Sequence, residues 1–251
     1  MNPANKIIVT LDTGKIEEIK NMVESLLDFG VSFKIGQEVI NSLGGPQTAR
    51  VIHSLGGTLF YDVKLSDTPN TVKKASKAIS SLGVGMFSVH ASSGFEAMKE
   101  AAQNKGNCVA VAVTILTSLD CKDIWDMGYI NSWPSITSFE AYDNRQYIDF
   151  VVSKMAKQAK KAGLDGVVCS AKNLIHMSMD KEFFNSIIKV TPGIRPFWYE
   201  EKDQKNCVTP FEAVRLGADY LVIGRPITDP PKKIGSPKEA LKRIIDEIAL
   251  C

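Results

Sequence analysis

Tyr61-Asp62-Val63-Lys64-Leu65-Ser66-Asp67-Thr68-Pro69-Asn70-Thr71 follows an apolar run, Thr58-Leu59-Phe60, and together they read as a strand passing through a turn into a helix. Side chains at i and i+2 of a strand share a face, so Asp62 and Lys64 are expected to project to one side. Asp67 comes after the strand, and Thr68-Pro69 marks a helix start with proline in its first turn. Two acids and a lysine at the carboxyl end of a buried strand are not placed as a solvated charge run. They call for a chemical explanation.

Outward from this stretch the same unit recurs. Short β-branched runs at 6–12, 31–36, 58–65, 86–91, 108–116, 166–171, 188–194 and 220–225 predict eight strands. Several are apolar almost throughout, such as Val109-Ala110-Val111-Ala112-Val113, as strands covered on both faces must be. Amphipathic segments at 16–29, 70–82, 94–104, 148–162 and 209–216 lie between them, and a last one at 237–249 is expected to close the structure. Eight strands with intervening helices predict an α/β fold, a (β/α)8 barrel forming one domain over 1–251. A doubly wound open sheet is the rival, but no G-x-G-x-x-G follows the first strand and no G-x-x-x-x-G-K-[ST] occurs. One irregular stretch, 121–143, with Trp125, Gly128, Tyr129, Trp133 and Pro134, reads as an extended loop whose aromatics pack locally.

Composition narrows the function classes. A chain of 251 residues, 44% of them hydrophobic, can bury one barrel-sized core. Thirty Lys and Arg against 28 Asp and Glu leave a net charge of +2, too balanced for a nucleic-acid or membrane-surface partner. No signal peptide and no spanning segment are expected. The five cysteines (Cys108, Cys121, Cys169, Cys207, Cys251) are scattered and lack a C-x-x-C pair. They read as reduced thiols of a cytoplasmic protein.

In such barrels the reacting groups gather at the carboxyl ends of strands. Asp12 ends the first strand, where it is either a site residue or a helix cap. Lys34 lies inside the second, Val31-Ser32-Phe33-Lys34-Ile35-Gly36, where a lysine is expensive unless paired. Asp62 and Lys64 are its candidate partners. His90, in Ser88-Val89-His90-Ala91, reads as a hydrogen-bonded structural histidine rather than a general base. His53 and His176 form no constellation with a serine or cysteine, so a hydrolytic triad is unsupported.

The second half carries a different signature. Thr191-Pro192-Gly193-Ile194-Arg195-Pro196 ends strand seven and Val222-Ile223-Gly224-Arg225-Pro226 ends strand eight. Barrel phosphate sites are frequently built from these two loops. Glycine lets backbone N–H groups approach, and arginine supplies a bidentate fork. The polar segment 197–208, containing Asp203-Gln204, has the character of a lid.

These residues resemble the orotidine 5′-phosphate decarboxylases, the enzymes that form UMP in pyrimidine biosynthesis. The D-x-K-x-x-D motif followed by Pro-x-Thr stands here as Asp62, Lys64, Asp67, Pro69 and Thr71. V-T-P-G-I-R-P, the Asp-Gln of the lid and V-I-G-R-P follow in family order, so that the resemblance spans about Lys6 to Asp229. Departures are Thr68 before the proline, the Leu65-Ser66 pair and the long 121–143 stretch; none removes a charged group. The resemblance implies a barrel without metal or organic cofactor, in which Lys34, Asp62, Lys64 and Asp67 form an alternating charged array. It implies a homodimer, with Asp67 and Thr71 reaching the neighbouring site. Asp12 and Lys34 would bind ribose hydroxyls, and Thr117 and Ser118 the pyrimidine. Gln204, Arg225 and the Gly224 backbone would hold the phosphate, with Arg195 beside the lid, and Pro192 and Arg195 would both be substrate-binding residues.

Two other readings stay open at this level. The related sugar-phosphate branch, 3-keto-L-gulonate 6-phosphate decarboxylase or hexulose-phosphate synthase, shares D-x-K-x-x-D but uses Mg²⁺. The Pro69-Asn70-Thr71 continuation and Gln204 favour the nucleotide enzyme. A non-catalytic phosphate-ligand sensor on the same barrel would have no need of Lys64.

Overall fold

A computed structural model describes residues 2–129, 144–199 and 207–251. Strands β1 (Ile7–Leu11), β2 (Ser32–Ile35), β3 (Leu59–Leu65), β4 (Met86–His90), β5 (Val109–Val113), β6 (Gly166–Val168), β7 (Ile188–Thr191) and β8 (Tyr220–Ile223) pair in sequence order. All pairings are parallel, and β8 returns to β1 through Ile8↔Val222, so the sheet closes into the expected (β/α)8 barrel.

The strands at the far side of the barrel end earlier than their apolar runs. β5 stops at Val113 rather than Leu116, β6 at Val168 and β7 at Thr191. Past those points the backbone leaves the ladder to build the loops of the mouth, which hydrophobicity alone does not register.

Alternation along each strand divides the apolar residues into two cores. Ile8, Phe60, Met86, Val111, Val190 and Val222 point inward and fill the barrel. Their outward neighbours, among them Val9, Phe33, Phe87, Ala110 and Leu221, pack under the helices. Helix Ile16–Leu26 buries Ile19, Val23 and Leu26, a spacing that keeps one helical face on the sheet. Helix Pro69–Ser80 starts with its proline in the first turn, as Thr68-Pro69 predicted. Ser236 and Glu239 form a reciprocal capping box for helix Pro237–Ile248. That helix packs over the seam against Ile16–Leu26 and Pro210–Arg215, while closure itself comes from the β8–β1 pairing. Within the irregular stretch, Cys121–Asp126 is a short helix capped by Asp120; residues 130–143, including Trp133 and Pro134, lie outside the described residues.

Candidate active site

The inner plug ends one layer below the mouth, and the layer above it is polar. Thr10 pairs in register with Lys34, and Lys34 with Phe60, so Asp62 stands one inward-facing step beyond Lys34 on the adjacent strand, within reach of the long lysine side chain. Lys34 Nζ lies 3.4 Å from Asp62 Oδ2, and Lys64 Nζ lies 2.7 Å from the same oxygen. The Lys34 and Asp62 side chains are only 11% and 12% exposed, so solvent screens this pair weakly. Asp12 stands 4.0 Å from Lys34 but is more than half exposed, a contact of marginal strength. It does not cap the first helix, whose N-cap is Lys15. The capping alternative for Asp12 is thereby replaced by a place at the outer end of an ion row.

Two residues that the sequence did not single out make room for this row. A Cβ on Gly36 would fall 3.0 Å from Lys34 Nζ and 3.8 Å from Asp12 Oδ1, so a side chain there would press on the ammonium. Ser88, fully buried on β4, donates its hydroxyl to Asp62 Oδ1 at 2.8 Å. Met86, Ser88 and His90 share the inner face of β4, so a small polar residue at the level of Asp62 was the available signal. Burial alone pushes the Asp62 carboxyl up. The ammonium groups of Lys34 and Lys64, with hydrogen bonds from Lys64 and Ser88, outweigh it and hold the carboxyl below its ordinary range.

Lys64 reaches Asp62 by a route different from simple strand alternation. Tyr61 pairs with Phe87 and Leu65 with Val89, so four steps along β3 face two along β4 and the register slips between them. Lys64 has φ +53°, the one non-glycine residue with positive φ among the described residues. A left-handed backbone at a residue with a Cβ costs about 1–3 kcal/mol and persists only where its surroundings over-determine it.

His90 Nδ1 lies 2.7 Å from Ser92 Oγ, in keeping with a hydrogen-bonded histidine. Burial, and then the charge of Lys64, lower its pKa from the usual 6.5, so it tends to stay neutral beside the array.

Asp67 is not part of the array within one chain. It is exposed, and its Oδ1 accepts from the Thr68 N–H at 2.6 Å. Thr71, also exposed, has its hydroxyl 3.1 Å from that of Thr68. Thr117 and Ser118 sit exposed on the turn after β5. On the other side of the mouth, β7 and β8 are neighbours, so their two turns are adjacent. Gly193 has φ +77°, a conformation that favours glycine. Arg195 N–H donates to Val208 O at 2.9 Å, tying both ends of the intervening segment together. Pro192 is half-buried beside it. Gly224 precedes the short helix Arg225–Thr228, where Arg225 is exposed. Gln204 lies outside the described residues.

Buried charge at the carboxyl mouth of a closed parallel barrel marks the class: a (β/α)8-barrel enzyme. Comparison with known proteins then gives the family. Residues 5–244 match the model of the Orotidine 5′-phosphate decarboxylase / HUMPS family, and the chain belongs to that family. It is 38% identical over 252 residues to the orotidine 5′-phosphate decarboxylase of Geotalea uraniireducens, covering 97% of this chain and 95% of that one. The enzyme of that name from Syntrophomonas wolfei is 36% identical, covering 99% of both chains. A crystal structure of orotidine 5′-phosphate decarboxylase from Lactobacillus acidophilus superposes with a TM-score of 0.76 at 29% identity, covering 96% of this chain and 98% of that one.

Proposed function

We propose that this protein decarboxylates orotidine 5′-phosphate to UMP in de novo pyrimidine biosynthesis, without metal or organic cofactor, as a cytoplasmic homodimer. The observation that carries this reading is the row Asp12, Lys34, Asp62, Lys64, in which charges alternate and one buried carboxylate oxygen is shared by two ammonium groups.

The chemistry asks for such a row. When the bond from C6 to the carboxylate breaks, CO₂ leaves and the electron pair stays on C6 with no conventional electron sink beside it. A fixed cation at that carbon stabilises the anion as it forms, and Lys64 then gives C6 a proton. The neutral amine recovers its proton from water. A carboxylate such as Asp62 beside the substrate carboxylate raises the ground state. At about 4 Å and an effective dielectric of about 20 that repulsion is roughly 4 kcal/mol, helpful but only part of the barrier. Because Asp62 and its lysines hold one another before substrate arrives, little reorganisation is left for the chemical step.

At the opposite side of the mouth, Arg225, the Gly224 backbone and Gln204 grip the phosphate, with Pro192 and Arg195 at the base of the lid. Asp12 and Lys34 bind the ribose hydroxyls, while Thr117 and Ser118 meet the pyrimidine. Asp67 and Thr71, exposed in a single chain, complete the site of the partner subunit. Arg225→Ala should raise KM for orotidine 5′-phosphate by about 100-fold with a smaller change in kcat, since a charged, bidentate phosphate contact is lost. Steady-state kinetics checks this, and an unchanged KM removes Arg225 from the phosphate site.

One ultraviolet assay of orotidine 5′-phosphate consumption tests the whole reading. Turnover that survives EDTA is expected. Activity abolished by chelator and restored by Mg²⁺ would overturn the metal-independent reading, and no turnover of orotidine 5′-phosphate alongside Mg²⁺-dependent turnover of 3-keto-L-gulonate 6-phosphate would move the protein to the sugar-phosphate branch of its family. UMP binding without turnover would make it a sensor.

A further inference from the structure

Lys64 stands in a backbone conformation that its own strand does not supply, and two side chains from other elements hold it there, Gln37 from the helical turn after β2 and Ser88 from β4. The peptide unit joining Val63 to Lys64 is gripped at both polar ends. Gln37 Nε2 donates to the Val63 carbonyl at 2.6 Å, and the Lys64 N–H donates to Ser88 Oγ at 2.9 Å. Asn41 Nδ2 donates to Gln37 Oε1 at 3.1 Å, which turns the Gln37 amide nitrogen toward Val63. The slip in register between Tyr61 and Leu65 takes this peptide off the β3–β4 ladder, so these side chains stand in for the strand partner it lacks.

The direction of each bond at Ser88 follows from elementary chemistry. A backbone N–H can only donate, so Ser88 Oγ accepts from Lys64. The hydroxyl has one proton, and Asp62 Oδ1 lies 2.8 Å away to take it. One fully buried oxygen therefore sets the Lys64 backbone and orients the carboxylate on which the Lys64 ammonium rests.

We propose that Ser88 is a positioning residue for Lys64, working with Gln37 to lock the Val63–Lys64 peptide so that the ammonium is held over Asp62. Ser88 itself acts through Lys64 and Asp62 and touches no substrate. Without the hydroxyl, the Lys64 backbone relaxes toward the extended region favoured by residues with a Cβ, and the ammonium leaves its place. The inference rests on the decarboxylase reading for its kinetic consequence, though the backbone lock stands apart from it.

The test compares wild type with Ser88→Ala, Ser88→Thr and Gln37→Ala. A misplacement of about 1 Å at a reacting group costs on the order of 100-fold in rate. Ser88→Ala is thus expected to lose about 100-fold in kcat while binding UMP, measured by calorimetry, within about twofold of wild type. Ser88→Thr, which keeps the hydroxyl, should recover most of that loss. Unchanged kcat in Ser88→Ala would overturn the proposal. So would a fall in kcat matched by an equal loss of UMP affinity and of melting temperature, the pattern of a merely structural serine. If Ser88→Ala does not fold, the exposed Gln37→Ala decides: lower kcat with UMP affinity intact supports the lock, and unchanged kcat sinks it. If wild type itself fails to turn over orotidine 5′-phosphate, the decarboxylase reading falls, and the backbone of Lys64 in a crystal structure of Ser88→Ala becomes the arbiter. A retained positive φ refutes the lock, and an extended Lys64 supports it.

Discussion

Lys64→Ala should give a folded barrel that consumes orotidine 5′-phosphate at least about 10⁴-fold more slowly than wild type, because one side chain both stabilises the anion and delivers the proton. Folding survives for reasons visible in the site. Asp62 keeps Lys34 at 3.4 Å and the Ser88 hydroxyl at 2.8 Å, so its carboxylate is not left unpaired. Alanine at position 64 also carries a Cβ, so it meets the same backbone strain as lysine and adds none. Circular dichroism and a melting curve check the fold, UMP calorimetry checks the pocket, and the ultraviolet assay reads the rate. A folded Lys64→Ala protein with substantial turnover would end the role assigned to this lysine. The contrast with Asp62→Ala is informative, since there two ammonium groups lose their shared partner at once.

Asp67→Ala should lose about 100-fold or more in turnover, and that loss should be recoverable by mixing. Asp67 is exposed in a single chain and stands outside the ion row. If it completes the partner's array, a dimer made of one Lys64→Ala chain and one Asp67→Ala chain has one site with both defects and one with neither. Random pairing makes half the dimers mixed, so exchange between the two inactive proteins should restore up to about a quarter of wild-type activity. Differently tagged chains allow the mixed dimer to be isolated and assayed directly. A purified mixed dimer without activity would show that each site is built from one chain. A protein that sediments as a monomer while fully active would remove the shared site altogether.

Much of the architecture could be read from local pattern. Unbroken apolar runs such as Val109–Val113, separated by amphipathic segments, point to strands covered on both faces, and eight strands in that alternation favoured the barrel over an open sheet. The helix start at Thr68-Pro69 needed only the chemistry of proline. Lys34 drew attention because a lysine within a core strand must have a partner, and Asp62 lies beside it. Yet the same rule applies to Lys189, equally buried in β7. That lysine points out of the barrel, pairs with Asp219 at 2.8 Å and lies over the Phe184 ring at 4.5 Å. It answers the rule with a structural pair away from the mouth.

What the sequence determined by itself was therefore the order of strands and helices, the charged residues available at the strand ends, and the family they resemble. Each of those depends on spacing along the chain or on residue type. Only the tertiary structure decided which buried lysine faces the barrel interior, that Ser88 joins Asp62 to the Lys64 backbone, and that Gly36 leaves space for an ammonium group. It also decided that Asp67 stands apart from the row within one chain. These depend on strand register and on a slip of register in β3, which bring together groups 24 and 26 residues apart. Register is set by how the closed sheet packs as a whole, and no local window of sequence carries it.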